Sequence, residues 1–127
     1  MKVAILDDYQ DVFRTLKCSS RLKGHDVAVY HDSVKEPGKL ADRLRGADAV
    51  ILLQQRTPFP RAAAEKVTTL KLISQTGRNA NHIDMAACTE KGILVCGTGA
   101  GAVNHTAELT WGLIFSVLRH IPEGCGS

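Results

Sequence analysis

Two short segments hold the side chains best suited to binding an anion: Gln54-Gln55-Arg56-Thr57-Pro58 and Gly77-Arg78-Asn79-Ala80-Asn81. An arginine supplies a fixed positive fork, and a glycine followed by exposed backbone amides can cradle a carboxylate. Each segment directly follows an apolar run. If those runs are parallel strands, their carboxyl ends are where open α/β sheets bind ligands. Arg56 and Arg78 would then face one crevice, which suits an anionic substrate. By position alone, the segment from Gly77 reads also as an ordinary turn, and Arg56 as a surface arginine.

Two further motifs carry rival chemistries. Asp7-Asp8 follows the first apolar run, as paired carboxylates do in a phosphorylation receiver domain, where they hold a magnesium ion beside a phosphoacceptor aspartate. Here Gln54-Gln55 stand where that acceptor belongs, and no lysine follows the fifth run. Capping of the first helix is the simpler role for Asp7 and Asp8. Gly97-Thr98-Gly99-Ala100-Gly101-Ala102 satisfies a relaxed dinucleotide fingerprint, in which glycines let a backbone approach pyrophosphate at a helix N-terminus. A cofactor fold needs another strand after the next helix, with an acid at its end. The chain has no room for it, and a hinge loop is the better reading.

These segments need a frame. Five apolar runs, Lys2 to Leu6, Asp26 to His31, Ala49 to Leu53, Leu70 to Gln75 and Gly92 to Cys96, recur at about the length of one strand plus one crossover helix. Between them, Asp11 to Leu22 carries Val12, Phe13, Leu16 and Leu22 on one helical side, and Pro37 to Arg45 carries Leu40 and Leu44. Pro60 suits the first turn of a helix reaching Val67, and Ile83 to Glu90 forms a short alanine-rich one. Gly24, Gly46 and Gly92 fall where helices end. Strands with few polar positions, alternating with helices, make a parallel sheet covered on both faces. The last helix, roughly Asn104 to Ile121, is apolar nearly all round. Such a helix is either a central core element or a bridge to a second domain or subunit, and the bridge is the sharper reading.

Composition narrows the partners. The 127 residues make about one domain. At 44% hydrophobic and 23% charged, with no apolar run long enough to span a bilayer, the chain reads as globular and without a membrane anchor. Met1 leads straight into a strand-like run with no secretory signal, so a cytoplasmic location is expected. The net charge of +3 is dispersed and argues against a nucleic-acid surface. Cys18, Cys88, Cys96 and Cys125 lack disulfide or zinc spacing and read as reduced structural thiols, with no metal site.

The stretch Leu70-Lys71-Leu72-Ile73-Ser74-Gln75-Thr76-Gly77-Arg78-Asn79, continuing Ala80-Asn81-His82-Ile83-Asp84-Met85-Ala86-Ala87-Cys88-Thr89-Glu90-Lys91-Gly92-Ile93, resembles the D-isomer-specific 2-hydroxyacid dehydrogenases, and so does Thr106-Ala107-Glu108-Leu109-Thr110-Trp111. The resemblance implies a flavodoxin-like, five-stranded parallel sheet of (βα)5 type with helices on both faces. Residues 1–103 would be the substrate-binding domain, 104–121 a helix bridging to an NAD-binding domain that the chain lacks, and 122–127 a tail. It also implies that the backbone of Gly77, Arg78 and Asn79 receives the carboxylate of a small 2-hydroxy or 2-keto acid, with Gln55 and Arg56 beside it and Thr106 near the nicotinamide. Phosphoglycerate enzymes of the family commonly carry an arginine where Gln54 stands. The family's catalytic arginine, acid and histidine belong to the domain that would follow Pro122, and none of the five histidines here matches the catalytic one. The chain alone is therefore expected to be inactive and to self-associate through the 104–121 helix. The alternative is a stand-alone domain that binds a small anion or a protein without catalysis.

Overall fold

The computed structural model describes residues 1–99 and 104–125, the side chain of Cys125 aside. The strands are β1 (Lys2–Leu6), β2 (Asp26–Val29), β3 (Ala49–Leu52), β4 (Leu72–Thr76) and β5 (Leu94–Thr98). They form one all-parallel sheet in the order β2-β1-β3-β4-β5, so the chain reverses its direction of travel between β1 and β3. In such sheets that reversal leaves a crevice at the strands' carboxyl ends.

Helices α1 (Pro37–Arg43), α2 (Arg61–Lys66) and α3 (Met85–Glu90) pack side by side. Beneath them lies the main core, in which Ala4, Leu6, Val50, Leu52 and Ile73 from the sheet meet Leu40, Leu44, Ala63, Ala64 and Ala87. Alternate strand residues point to opposite faces, and Val3 and Ile5 are buried on the other side of the sheet. Each α-helix starts as its sequence directs. Pro37 occupies the first turn of α1, Pro60 caps α2 from just outside it, and the Asp84 carboxylate accepts from the Ala87 amide at 2.9 Å. The glycines expected at helix ends adopt φ of +89° (Gly24), +74° (Gly46) and +70° (Gly92), the left-handed region that closes a helix.

Three expected elements differ. The helix from Asp11 to Leu22 is instead two 3₁₀ segments, Phe13–Thr15 and Lys17–Leu22, joined at Leu16 with ψ 138°. Hydroxyls within it turn back onto nearby carbonyls, Thr15 on Val12 at 2.7 Å and Ser20 on Lys17 at 2.8 Å, offering the backbone an alternative to an α-helix. None of its residues is buried, so no packing holds a longer helix together. The last helix, α4 (His105–Leu118), ends early because His120 adopts φ +51°, and Ile121–Cys125 form a further short helix, α5, where a tail was expected. No residue of α4 is buried, so it is not a core helix of this chain. The hinge expected at Gly97 to Ala102 lies partly outside the described residues.

Candidate functional site

The carboxyl ends of β1, β3 and β4 meet at one end of the sheet. Gln54, Gln55, Arg56, Gly77, Arg78 and Asn79 line a cleft of about 490 Å³ there, so five expected site residues come together with a sixth. Among the described residues, no carboxylate lines it. Gly77 adopts φ +103°, and its own N–H donates to the Thr98 hydroxyl at 3.1 Å. Past that turn, the N–H groups of Arg78 and Asn79 have no acceptor among the described residues, while Asn79 Oδ1 accepts from the Asn81 N–H at 3.0 Å and fixes the turn. Successive unpaired backbone donors are the kind of group that can receive an anion.

Both arginines line this cleft, each held by its own contacts. Arg56 Nη1 donates to the Asp7 carbonyl at 2.7 Å, and its guanidinium lies 4.8 Å over the Tyr9 ring. The Arg78 stem lies against Gly99, where a Cβ would collide with it. Both arginines thus face one crevice, as the sequence leads one to expect. Thr106 lies exposed in the first turn of α4 and is not part of the cleft lining.

Asp7 and Asp8 divide their roles. Asp8 caps the following segment, accepting from the N–H groups of Val12 at 3.0 Å and Phe13 at 2.9 Å. Asp7 does not cap. It is buried with φ +62° and accepts from the Thr57 hydroxyl, so it ties the end of β1 to the loop after β3. Asp8, Asp11 and His31 bring ligand-type atoms within 4.8 Å of one another. Both Asp8 oxygens are already occupied by backbone donors, which leaves a poor metal site.

Gln75 and His82 form a clamp behind the cleft. Gln75 is 1% exposed, and its Nε2 donates to the carbonyls of Gln54 at 2.6 Å and Thr76 at 2.9 Å. Those two acceptors fix the amide's orientation, so Oε1 faces His82 Nε2 at 3.0 Å and that nitrogen carries the proton. The His82 carbonyl in turn accepts from Phe59 N–H at 2.7 Å. One buried amide thus holds the loops after β3 and β4 together, including Gln54 at φ +56°. A polar residue at a core-facing strand position, two after buried Ile73, was the available signal in the sequence.

His82 Nδ1 is buried without a partner among the described residues, and burial pulls the imidazole pKa below its ordinary 6.5. Between that ordinary value and the lowered folded one, the unfolded chain binds a proton that the folded chain does not. Stability is therefore full above pH 6.5 and falls as pH drops through the folded value. Urea midpoints measured from about pH 7.5 to about pH 5 should decline, and His82→Gln should flatten that decline. Burial also pushes the Cys88 thiol pKa up, with Asp84 adding to the effect, which leaves it unreactive.

Among known proteins, residues 3–117 match the catalytic domain of the D-isomer specific 2-hydroxyacid dehydrogenases. A D-3-phosphoglycerate dehydrogenase of Methanocaldococcus jannaschii is 35% identical over 89 residues, 70% of this chain and 17% of that protein. A phosphoglycerate oxidoreductase of Vibrio cholerae superposes with a TM-score of 0.82 at 44% identity, covering 96% of this chain and 38% of the other. D-lactate dehydrogenase of Escherichia coli, 19% identical over 99% of this chain and 40% of its own, shares the fold with a TM-score of 0.73. The chain thus spans well under two thirds of each relative. With the family pattern covering nearly all of it, and the five-stranded parallel sheet shared with those structures, this chain belongs to the D-isomer specific 2-hydroxyacid dehydrogenase family.

Proposed function

We propose that this chain is the substrate-side domain of an NAD-dependent D-2-hydroxyacid dehydrogenase, and that it seats the substrate carboxylate on the N–H groups of Arg78 and Asn79. The observation that carries the reading is that pair of donors without an acceptor among the described residues, in a cleft whose described lining has two guanidinium groups and no acid. Gln55 and Arg56 form the facing wall, where Arg56 contributes positive charge from its anchored position. Such a cradle orients the acid and replaces the water around its carboxylate, holding C2 in one place.

NAD would supply or accept the hydride, and the described residues do not build a site for it. Gly97 answers to the turn beside it, since a Cβ there would lie 3.1 Å from the Gly77 carbonyl, and Gly99 lies beneath the Arg78 side chain. Both glycines are accounted for without a pyrophosphate. The cofactor is assigned to a second domain reached through α4, with Thr106 on the approach. Among the described residues, no histidine lines the cleft to exchange the hydroxyl proton.

An ¹⁵N-labelled 127-residue chain titrated with glyoxylate and hydroxypyruvate should show its largest amide shifts at Arg78 and Asn79. Gly77→Ala should weaken binding at least tenfold. Nothing crowds a Cβ there, but φ +103° disfavours any side chain, so the turn must reorganise. Shifts confined to other loops would refute the carboxylate assignment. Consumption of NADH with these acids should stay at background, and clear turnover by the purified chain would refute the division of labour.

A further inference from the structure

We propose that the cleft selects acids with an extended apolar side chain, which lies in the crevice between the ends of β1 and β3. This rests on the carboxylate reading above. The crevice, about 240 Å³, sits at the reversal of strand order and shares Gln54 and Arg56 with the carboxylate cleft, so the two form one trough. Its far wall is Val12, Phe13, Leu16 and Leu53.

The wall's exposure is unexplained by folding. Val12 is 40% and Leu16 44% exposed, and neither 3₁₀ segment buries a residue. An apolar group laid against them would remove that surface from water. The polar groups at this end do not favour a second anion. Arg56 is held by the Asp7 carbonyl and the Tyr9 ring, and the Asp8 carboxylate lines the crevice. A phosphate there would face the Asp8 carboxylate, and among the described lining residues the Arg56 guanidinium is the one cation, which it would share with the substrate carboxylate. A chain of methylenes faces no such penalty, and each one buried strengthens binding about fourfold, from ~0.8 kcal/mol per CH₂.

The test is a calorimetric and amide-shift titration of the 127-residue chain with pyruvate, 2-ketobutyrate, 2-ketovalerate, 2-ketohexanoate and 3-phosphoglycerate. Affinity should climb along the keto-acid series to at least tenfold above pyruvate, with shifts spreading from Arg78 and Asn79 to Val12 and Leu16. Phosphoglycerate should bind no better than pyruvate. Leu16→Asp should remove the chain-length gain and leave pyruvate unchanged, and Val12→Ser, a milder change on the same wall, should reduce the gain. Equal affinities along the series, or tighter phosphoglycerate, with the Arg78 and Asn79 shifts intact, would overturn this inference and leave the carboxylate reading standing. Absence of those shifts with every acid would overturn both.

Discussion

Gln75→Leu is expected to cost about 3 kcal/mol of stability and to abolish carboxylate binding. Leucine is at least as large as glutamine, so the loss comes from hydrogen bonding rather than from a cavity. It removes the donor to the Gln54 and Thr76 carbonyls and the acceptor for His82 Nε2. Each buried polar group left without its partner costs about 1–3 kcal/mol, set against a small hydrophobic gain. The functional loss is sharper than the structural one. Gln54 at φ +56° and Gly77 at φ +103° lie on opposite loops, and the buried amide grips the first directly and the second through the Thr76 carbonyl. Without it the strained Gln54 backbone relaxes and the cleft loses its shape. Gln75→Glu separates clamping from mere filling. A carboxylate keeps the shape and the acceptor for His82 but cannot donate to two carbonyls, so this variant should also fail at neutral pH and recover partly in acid. Urea midpoints and the amide shifts on adding glyoxylate provide the readout. A Gln75→Leu protein within about 0.5 kcal/mol of the parent and binding with unchanged affinity would show that the clamp is incidental.

The contrast between Gln75 and its neighbours shows what the sequence makes legible. The five strands were readable because apolar runs and helix-closing glycines are local signals, and Gly24, Gly46 and Gly92 stand where expected with positive φ. The cleft was readable because strand order alone brings the ends of β3 and β4 side by side, which gathers Gln55, Arg56, Gly77, Arg78 and Asn79. Partnerships across the chain were not. Gln75 meets Gln54 only because β3 and β4 pair with Leu52 opposite Gln75, and Arg56 reaches Asp7 across 49 positions. No periodicity encodes such contacts. The failed helix from Asp11 to Leu22 has a different cause. Its apolar spacing fits a helix, but helical order in a protein is held by burial, and Val12 and Leu16 stay exposed. The same residues then become available to a ligand.

The other large effect is expected in assembly: at tens of micromolar the chain should sediment as a dimer or larger, through α4. This helix is 14 residues long, too short to be stable unaided, and it buries none of its side chains. Leu113, Phe115, Val117 and Leu118 are 59%, 53%, 74% and 68% exposed, and Trp111 stacks on Phe115 at 5.7 Å between centroids. An apolar surface of this extent is expected to seek a partner. Burying what is still exposed of four such side chains contributes about 4–8 kcal/mol per chain, against an association cost of about 4–15 kcal/mol. The ranges overlap, so one or two substitutions decide the outcome. Leu113→Glu with Val117→Glu should give a monomer, and because α4 buries nothing, the sheet should unfold at the same urea concentration as in the parent. The carboxylate cleft lies on the loops after β3 and β4, so glyoxylate should shift Arg78 and Asn79 equally in both forms. A parent chain that is monomeric at about 100 μM with α4 still helical would refute this. It would mean that a bare apolar helix persists in water without a partner, which its length and composition argue against.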